Sequence, residues 1–233
     1  MNNYSYEGSE LDLFAQAKNW KRYFARILKP YIRGHVLEVG AGMGATTAYL
    51  CEQVQRWTCL EPDANLAEQC RKQVQHLHPR PEVITSNLER IDTGSRFDCI
   101  LYIDVLEHIR ENAREMKLAC EHLNANGTMI VLSPAHPFLF SAFDQAIGHH
   151  RRYNRKSFSK IAPPELELVK MFYLDSAGLL ASLGNKWILK NPLPTQRQIL
   201  FWDRALVTLS KYLDFLLGYQ LGKTIVGIWR KKS

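Results

Sequence analysis

The stretch Val36-Leu37-Glu38-Val39-Gly40-Ala41-Gly42-Met43-Gly44 constrains this chain more than any other part of it. An apolar, β-branched run carrying one carboxylate has the character of a strand buried in a parallel sheet. Three glycines at alternate positions follow, and a helical pattern resumes over Ala45 to Leu50. The order is strand, tight turn, helix. Glycine lacks a Cβ, so the main chain turns sharply and a ligand can lie against it, while the amides opening the next helix attract a carboxylate or phosphate.

About twenty residues past such a turn, the end of the next strand can offer a carboxylate to a ribose diol. Trp57-Thr58-Cys59-Leu60-Glu61 ends on one, which makes Glu61 the ribose candidate. Gly40 to Ala45 also satisfy the looser dinucleotide pattern, so an NAD(P)-linked oxidoreductase using Glu61 on the ribose stands as an alternative. Glu38, two residues ahead of the first glycine, tips the balance. An acidic side chain there would repel a pyrophosphate but could hold the amino group of a methionine moiety through charge-assisted hydrogen bonds. The turn therefore favours S-adenosylmethionine over NAD.

With these residues in place, the chain resembles the class I S-adenosylmethionine-dependent methyltransferases, whose first motif is an acidic residue followed by Gly-x-Gly-x-Gly, here Glu38, Gly40, Gly42 and Gly44. Glu61-Pro62-Asp63 is similar to the second motif. Ser86-Asn87-Leu88 sits where a residue after the third strand meets adenine, and Phe97 to His108 resembles the fourth-strand motif. Many family members carry Asp at the adenine position, where this chain has Asn87 or Ser86. The resemblance covers roughly residues 30 to 135 and implies a cofactor site of Glu38, Gly40, Ala41, Gly42, Gly44, Glu61, Pro62, Asn87, Leu88 and Ile103, with S-adenosylhomocysteine as product. A cofactor-binding protein without transfer activity is the non-catalytic alternative.

Strand-like runs at about 35–39, 56–60, 82–85, 97–103, 127–132, 166–172 and 224–229 alternate with helical stretches in their first part. This pattern predicts an α/β fold, a Rossmann-like doubly wound, mostly parallel seven-stranded sheet, with N-terminal helices and a helical insert before the last strand. The 233 residues, 46% of them apolar, fit a single domain. Its parts are a leader (1–30), a cofactor core (31–135), an acceptor loop (134–160) and the insert (175–222). In the leader, apolar residues from Leu11 to Leu28 recur at spacings of three and four, predicting one or two helices over 10–29 that end near Pro30.

The net charge of +7 raises the question of an acidic partner. Lysines and arginines are dispersed and no nucleic-acid-reading motif appears, so nucleic acid is not expected. Five cysteines without CxxC spacing read as small buried hydrophobes. Their odd number, with no N-terminal basic-then-apolar segment, predicts a reducing, cytoplasmic setting. Asp203, Arg204, Lys211 and Asp214 interrupt the greasiest region, so no run reaches the ~18 residues of a membrane span.

Methyl transfer from a sulfonium is an in-line displacement, so the chain must hold the two reactants in contact and remove a proton where the acceptor has one. Two loops at the carboxyl edge of the sheet carry titratable groups. Just past the fourth strand, Glu107 and His108 either cap the following helix or supply a base, His108. After the fifth strand come His136, Asp144 and Gly148-His149-His150-Arg151-Arg152-Tyr153, a segment that resembles the loop of small-molecule methyltransferases related to the ubiquinone-biosynthesis type. A loop this long and polar is usually functional. His136 and His149 are the further base candidates; Asp144, His150, Arg152 and Tyr153 are substrate candidates, the basic pair binding an anionic acceptor or pairing with Asp144. Trp20, from the leader, joins them if it folds over the cofactor and otherwise packs in the core. Two histidines and a carboxylate could hold iron or zinc, but the spacing matches no short ligand motif and no metal is expected.

Around 196–218, Arg197, Arg204 and Lys211 accompany a wide apolar face. The combination suits a helix lying peripherally in a membrane interface, closing a hydrophobic acceptor pocket, or forming a homodimer face. A small organic acceptor, hydrophobic or lipid-linked, fits each.

Overall fold

A computed structural model describes residues 10–184 and 194–233; the first nine residues of the leader and residues 185–193 of the insert lie outside the described residues. Strands β1 (His35–Val39), β2 (Arg56–Leu60), β3 (Glu82–Ile84), β4 (Phe97–Ile103), β5 (Leu123–Pro134), β6 (Leu166–Leu174) and β7 (Thr224–Lys231) form one sheet in the order β3-β2-β1-β4-β5-β7-β6. β1 to β5 pair in parallel, and β7 runs antiparallel between β5 and β6. Strand order reverses between β1 and β4, which opens a crevice beyond their carboxyl ends, the place where such sheets bind ligands.

β5 is longer than its apolar run predicts. It begins at Leu123, opposite Phe97, and regains register at Thr128 opposite Cys99 after an irregularity. The polar Asn124 to Gly127 carry no strand pattern, so only the pairing reveals them. Along the central strands, alternate side chains feed two cores: Cys99 and Leu101 join one face, Ile100 and Tyr102 the other. All five cysteines are buried free thiols.

The leader forms α1 (Glu10–Ala15) and α2 (Lys18–Leu28), the latter ending before Pro30 as its pattern predicts. α2 has no side-chain cap of its own at its start. Asp203, 183 residues further on, supplies one: its Oδ1 accepts from the Trp20 amide at 2.8 Å and its Oδ2 from the Asn19 amide at 3.2 Å. The insert comprises α3 (Ser176–Gly184) and a longer helical run, Gln196–Phe201, a π turn at Trp202–Leu206, and Val207–Leu216. Asp214 ties this run to both neighbours, accepting from the Tyr23 hydroxyl at 2.8 Å and from the Asp175 and Ser176 amides at 2.8 and 2.9 Å. The acidic residues that interrupt the apolar pattern thus fix the insert on the leader. Among the described residues, no helix is long and apolar enough to cross a membrane.

Candidate active site

The glycine turn is preformed. Gly40, Gly42 and Gly44 take φ of +68°, +56° and +79°, the left-handed region that side chains disfavour. The first two glycines do different work. A Cβ on Gly40 would meet the Val105 methyls at 2.7 and 2.9 Å, whereas one on Gly42 would meet nothing within 4 Å. Gly40 is fixed by packing; Gly42 faces open space. Glu61 closes the turn from the side, its Oε2 accepting from the Gly42 amide at 2.8 Å and its Oε1 from the Asp63 amide at 2.9 Å. Each carboxylate oxygen carries a further lone pair, the capacity a ribose diol would use.

Glu38 lies beneath the turn, almost wholly buried. Its Oε2 accepts from Thr47 Oγ1 at 2.6 Å and Trp57 Nε1 at 3.0 Å, which braces the segment after the turn against β2. Burial pushes its carboxyl up to about 7, with these hydrogen bonds pulling the other way.

The turn forms one wall of a cavity of about 700 Å³. Ile103, Asp104, Glu107 and His108, at the end of β4, form the next wall, and Phe14, Trp20, Lys21 and Trp202 cover it. Trp20 fills both roles open to it: it lines the cavity and packs edge-on against Phe24, with ring centroids 5.4 Å apart. Asp104 lines the cavity and stays open to it; desolvation by the surrounding walls raises its carboxyl to about 6 against the pull of His149, Lys21 and Lys223.

Behind that wall sits a polar cluster. Arg152 pairs with Asp144 through Nε at 2.8 Å and Nη2 at 3.0 Å, and His149 Nδ1 lies 3.0 Å from Asp144 Oδ1. Asp144 is itself fixed by the Ser141 amide and hydroxyl, each at 2.9 Å. Burial pushes the Asp144 carboxyl up, but His149, Arg152 and Ser141 together hold it at about 2. His149 stands edge-on to His108, with centroids 4.5 Å apart. Burial, with His149 and His150 nearby, lowers His108 to about 3, so its imidazole stays neutral.

The structure brings together His108, His149, Arg152 and Trp20 around the cavity with Gly40, Ala41, Gly42 and Ile103. Other candidates lie elsewhere. His136 is not among the lining residues: its Nε2 bonds the Gly222 carbonyl at 2.9 Å and its ring stacks on Tyr173, so it anchors the acceptor loop rather than facing the cavity. Asp144 stands one layer behind the lining, orienting His149 and Arg152. His150 points to solvent, while its neighbour His149 is drawn inward by Asp144. Tyr153 is buried, its hydroxyl held by Asn112 Nδ2 at 2.8 Å and the Leu106 carbonyl at 3.1 Å. Glu61, Pro62, Asn87 and Leu88 sit beyond the lining, at the ends of β2 and β3. Glu107 caps no helix; its side chain turns inward, and Oε2 accepts from Ser133 Oγ at 3.0 Å.

Sequence reasoning missed Asp104, Lys21 and Trp202 as cavity residues. Asp104 had a signal, its place at the strand's carboxyl end; the other two become visible only when the insert docks on the leader.

Residues 36–127 match the family model described as a methyltransferase domain. Over 108 residues the chain is 27% identical to the ubiquinone biosynthesis O-methyltransferase of Azorhizobium caulinodans, a span of 46% of this chain and 43% of that protein, so less than half of the relative is matched. Among solved structures, the N-methyltransferase NodS from Bradyrhizobium japonicum in complex with S-adenosyl-L-homocysteine superposes with a TM-score of 0.61 at 12% identity, covering 94% of this chain and 89% of that one. A methyltransferase-like structure from Bacillus halodurans gives 0.61 at 15% identity, covering 91% and 99%. At such identities the likeness is one of fold.

Proposed function

We propose that this chain, whose residues 36–127 match a methyltransferase domain, is a class I S-adenosylmethionine-dependent enzyme that methylates a small organic acceptor held in the apolar cavity. One observation carries this reading: the open side of Gly42 and the polar cluster of His108, His149 and Arg152 border the same cavity. Donor and acceptor would meet there, and positioning supplies most of the catalysis. The bound donor supplies an electrophilic methyl on a sulfonium. Gly42 leaves room for its backbone-side face, Glu61 takes its ribose, and the mainly apolar cover excludes water. The acceptor's proton leaves at the cluster of Glu107, His108 and His149.

The acceptor we infer is hydrophobic or lipid-linked, of natural-product, quinone or glycan-precursor type, with a polar end directed at Arg152 and Lys21. Phe201, Leu209, Tyr212, Phe215 and Leu216 stay exposed on the insert helix beside exposed Arg197 and Arg204, which favours a peripheral membrane contact where such an acceptor resides. The test is to incubate purified protein with methyl-labelled S-adenosylmethionine and a cell extract. A labelled small-molecule product, one methyl heavier than its precursor, is expected; label confined to macromolecules, or none at all, contradicts the reading.

A further inference from the structure

Glu107 presents an unusual buried carboxylate. Its side chain has no solvent exposure, and Oε1, facing the cavity cluster, has no hydrogen-bond partner. His149 Nε2 lies 3.8 Å away, beyond hydrogen-bond reach. A buried acceptor left in this way costs on the order of 1–3 kcal/mol, more when charged. An ion or other polar guest at Oε1 would offset that cost. Ligand atoms of Glu107, His108 and His149 all lie within 4.8 Å of one another.

Both imidazoles are held from behind. His149 Nδ1 is 3.0 Å from Asp144 Oδ1, which Arg152 grips in turn, and His108 is hydrogen-bonded to the backbone at Gly148. An imidazole with one nitrogen tied to a carboxylate turns the lone pair of the other outward, which is how ligating histidines are oriented. For His149 the outward atom is Nε2, the one beside Glu107 Oε1. The ligands come from two loops some forty residues apart, which is why no short motif shows them.

We propose that Glu107, His108 and His149 bind one divalent cation of the borderline class, such as Zn²⁺, on the wall of the acceptor cavity. Two imidazoles and one carboxylate leave coordination positions open. The open side is the cavity, so an acceptor hydroxyl can complete the shell. Coordination lowers the hydroxyl's pKa, and its proton passes to the Asp104 carboxylate on the same cavity wall. The oxygen's electron pair then forms the bond to the methyl carbon while the sulfur–carbon bond breaks and sulfur keeps its pair, ending as a neutral thioether. The binding claim stands apart from the methyl-transfer reading; only this last step rests on it.

The full chain, stripped with chelator and dialysed, is titrated with Zn²⁺ by calorimetry and with Co²⁺ by visible absorption. One equivalent is expected, with a Co²⁺ spectrum of nitrogen and oxygen ligation. Glu107→Gln, close in shape, and His149→Ala should each weaken binding by more than about 100-fold, and Asp144→Asn by roughly 10–100-fold. His76→Ala, an exposed imidazole outside the cluster, should leave it unchanged. Thermal unfolding and S-adenosylhomocysteine affinity of each variant report whether it is folded and whether the donor site is intact. Absence of binding to the folded wild type, or binding undiminished in both Glu107→Gln and His149→Ala, overturns the site. Metal binding with methyl transfer unaffected by chelator overturns its part in the reaction, and loss of donor binding with metal binding retained counts against the methyl-transfer reading alone.

Discussion

Arg152 holds Asp144 at two points, Nε to Oδ1 at 2.8 Å and Nη2 to Oδ2 at 3.0 Å, around a carboxylate with no solvent exposure. The same carboxylate orients His149, so one side chain sets the geometry of the cation and of the imidazole at the cavity wall. Two-point pairing of this kind fixes direction as well as charge.

Removing Asp144 should therefore be costly. Asp144→Ala leaves Arg152 without a partner in a mostly buried position, and a loss of about 3–5 kcal/mol in urea denaturation is expected. The pair also sets an acid limit. Its folded-state value of about 2 lies below the unfolded value, so its contribution is complete above about pH 4 and is lost as pH falls through about 2. In Asp144→Asn that portion of the acid destabilisation should disappear; an unchanged acid limb would remove the ion pair from the account.

Glu38 should behave in the opposite sense. Burial holds its carboxyl at about 7 in the folded protein, above the unfolded value, so the folded state binds the extra proton between about pH 4.5 and 7. Stability from this group is present at low pH and is lost as pH rises through that window, by up to about 3 kcal/mol. Glu38→Gln should flatten the slope relative to wild type when denaturation midpoints are compared at about pH 5 and pH 7.5. Equal slopes in both proteins would mean that Glu38 is ionised and paired in a way the hydrogen bonds to Thr47 and Trp57 do not describe.

Two glycines in one motif should give distinguishable defects. Gly40→Ala forces a methyl into Val105 and should destabilise the fold. Gly42→Ala meets open space, so its stability cost is limited to the left-handed backbone, about 1–2 kcal/mol. Its methyl would occupy donor space, and S-adenosylhomocysteine affinity should fall by more than about tenfold, or 1.4 kcal/mol. Thermal shift and calorimetry on the two variants separate these outcomes, and a Gly42→Ala protein with full donor affinity would place the donor elsewhere.

What the sequence makes legible here is what has a local cause. The glycine turn, the strand before it and Glu61 after it are short-range features, and each stands where its pattern puts it. Long-range partners were silent: nothing near Trp20 announces that Asp203 will cap its helix, and nothing near His136 announces Tyr173 beneath its ring. The acceptor loop showed the limit most clearly. Its polar residues were readable as a functional set, but neighbouring His149 and His150 take opposite directions, and only the pairing of His149 with Asp144 decides which one faces inward. Glu107 was readable as a helix-start residue because polar residues are common there; its inward turn follows from Ser133 on the adjacent strand.

The exposed face of the insert helix yields a prediction independent of the cofactor. Phe215 and Leu216 are 71% and 75% exposed, so replacing both with Ser should change stability by no more than about 0.5 kcal/mol per site. Co-sedimentation with anionic phospholipid vesicles should fall in the variant and weaken with salt in the wild type. Wild-type protein that ignores such vesicles at low salt would remove the membrane contact.

We propose that the turn at Gly42, clasped by Glu61, holds the adenosyl part of a sulfonium donor. Titration calorimetry of wild type and Glu61→Ala with S-adenosylhomocysteine and with NAD tests it most directly. Wild type should bind S-adenosylhomocysteine and not NAD, and Glu61→Ala should lose about 1.5–3 kcal/mol of that affinity with its charged hydrogen bonds. Binding of NAD in preference, or S-adenosylhomocysteine affinity untouched by Glu61→Ala, would contradict it.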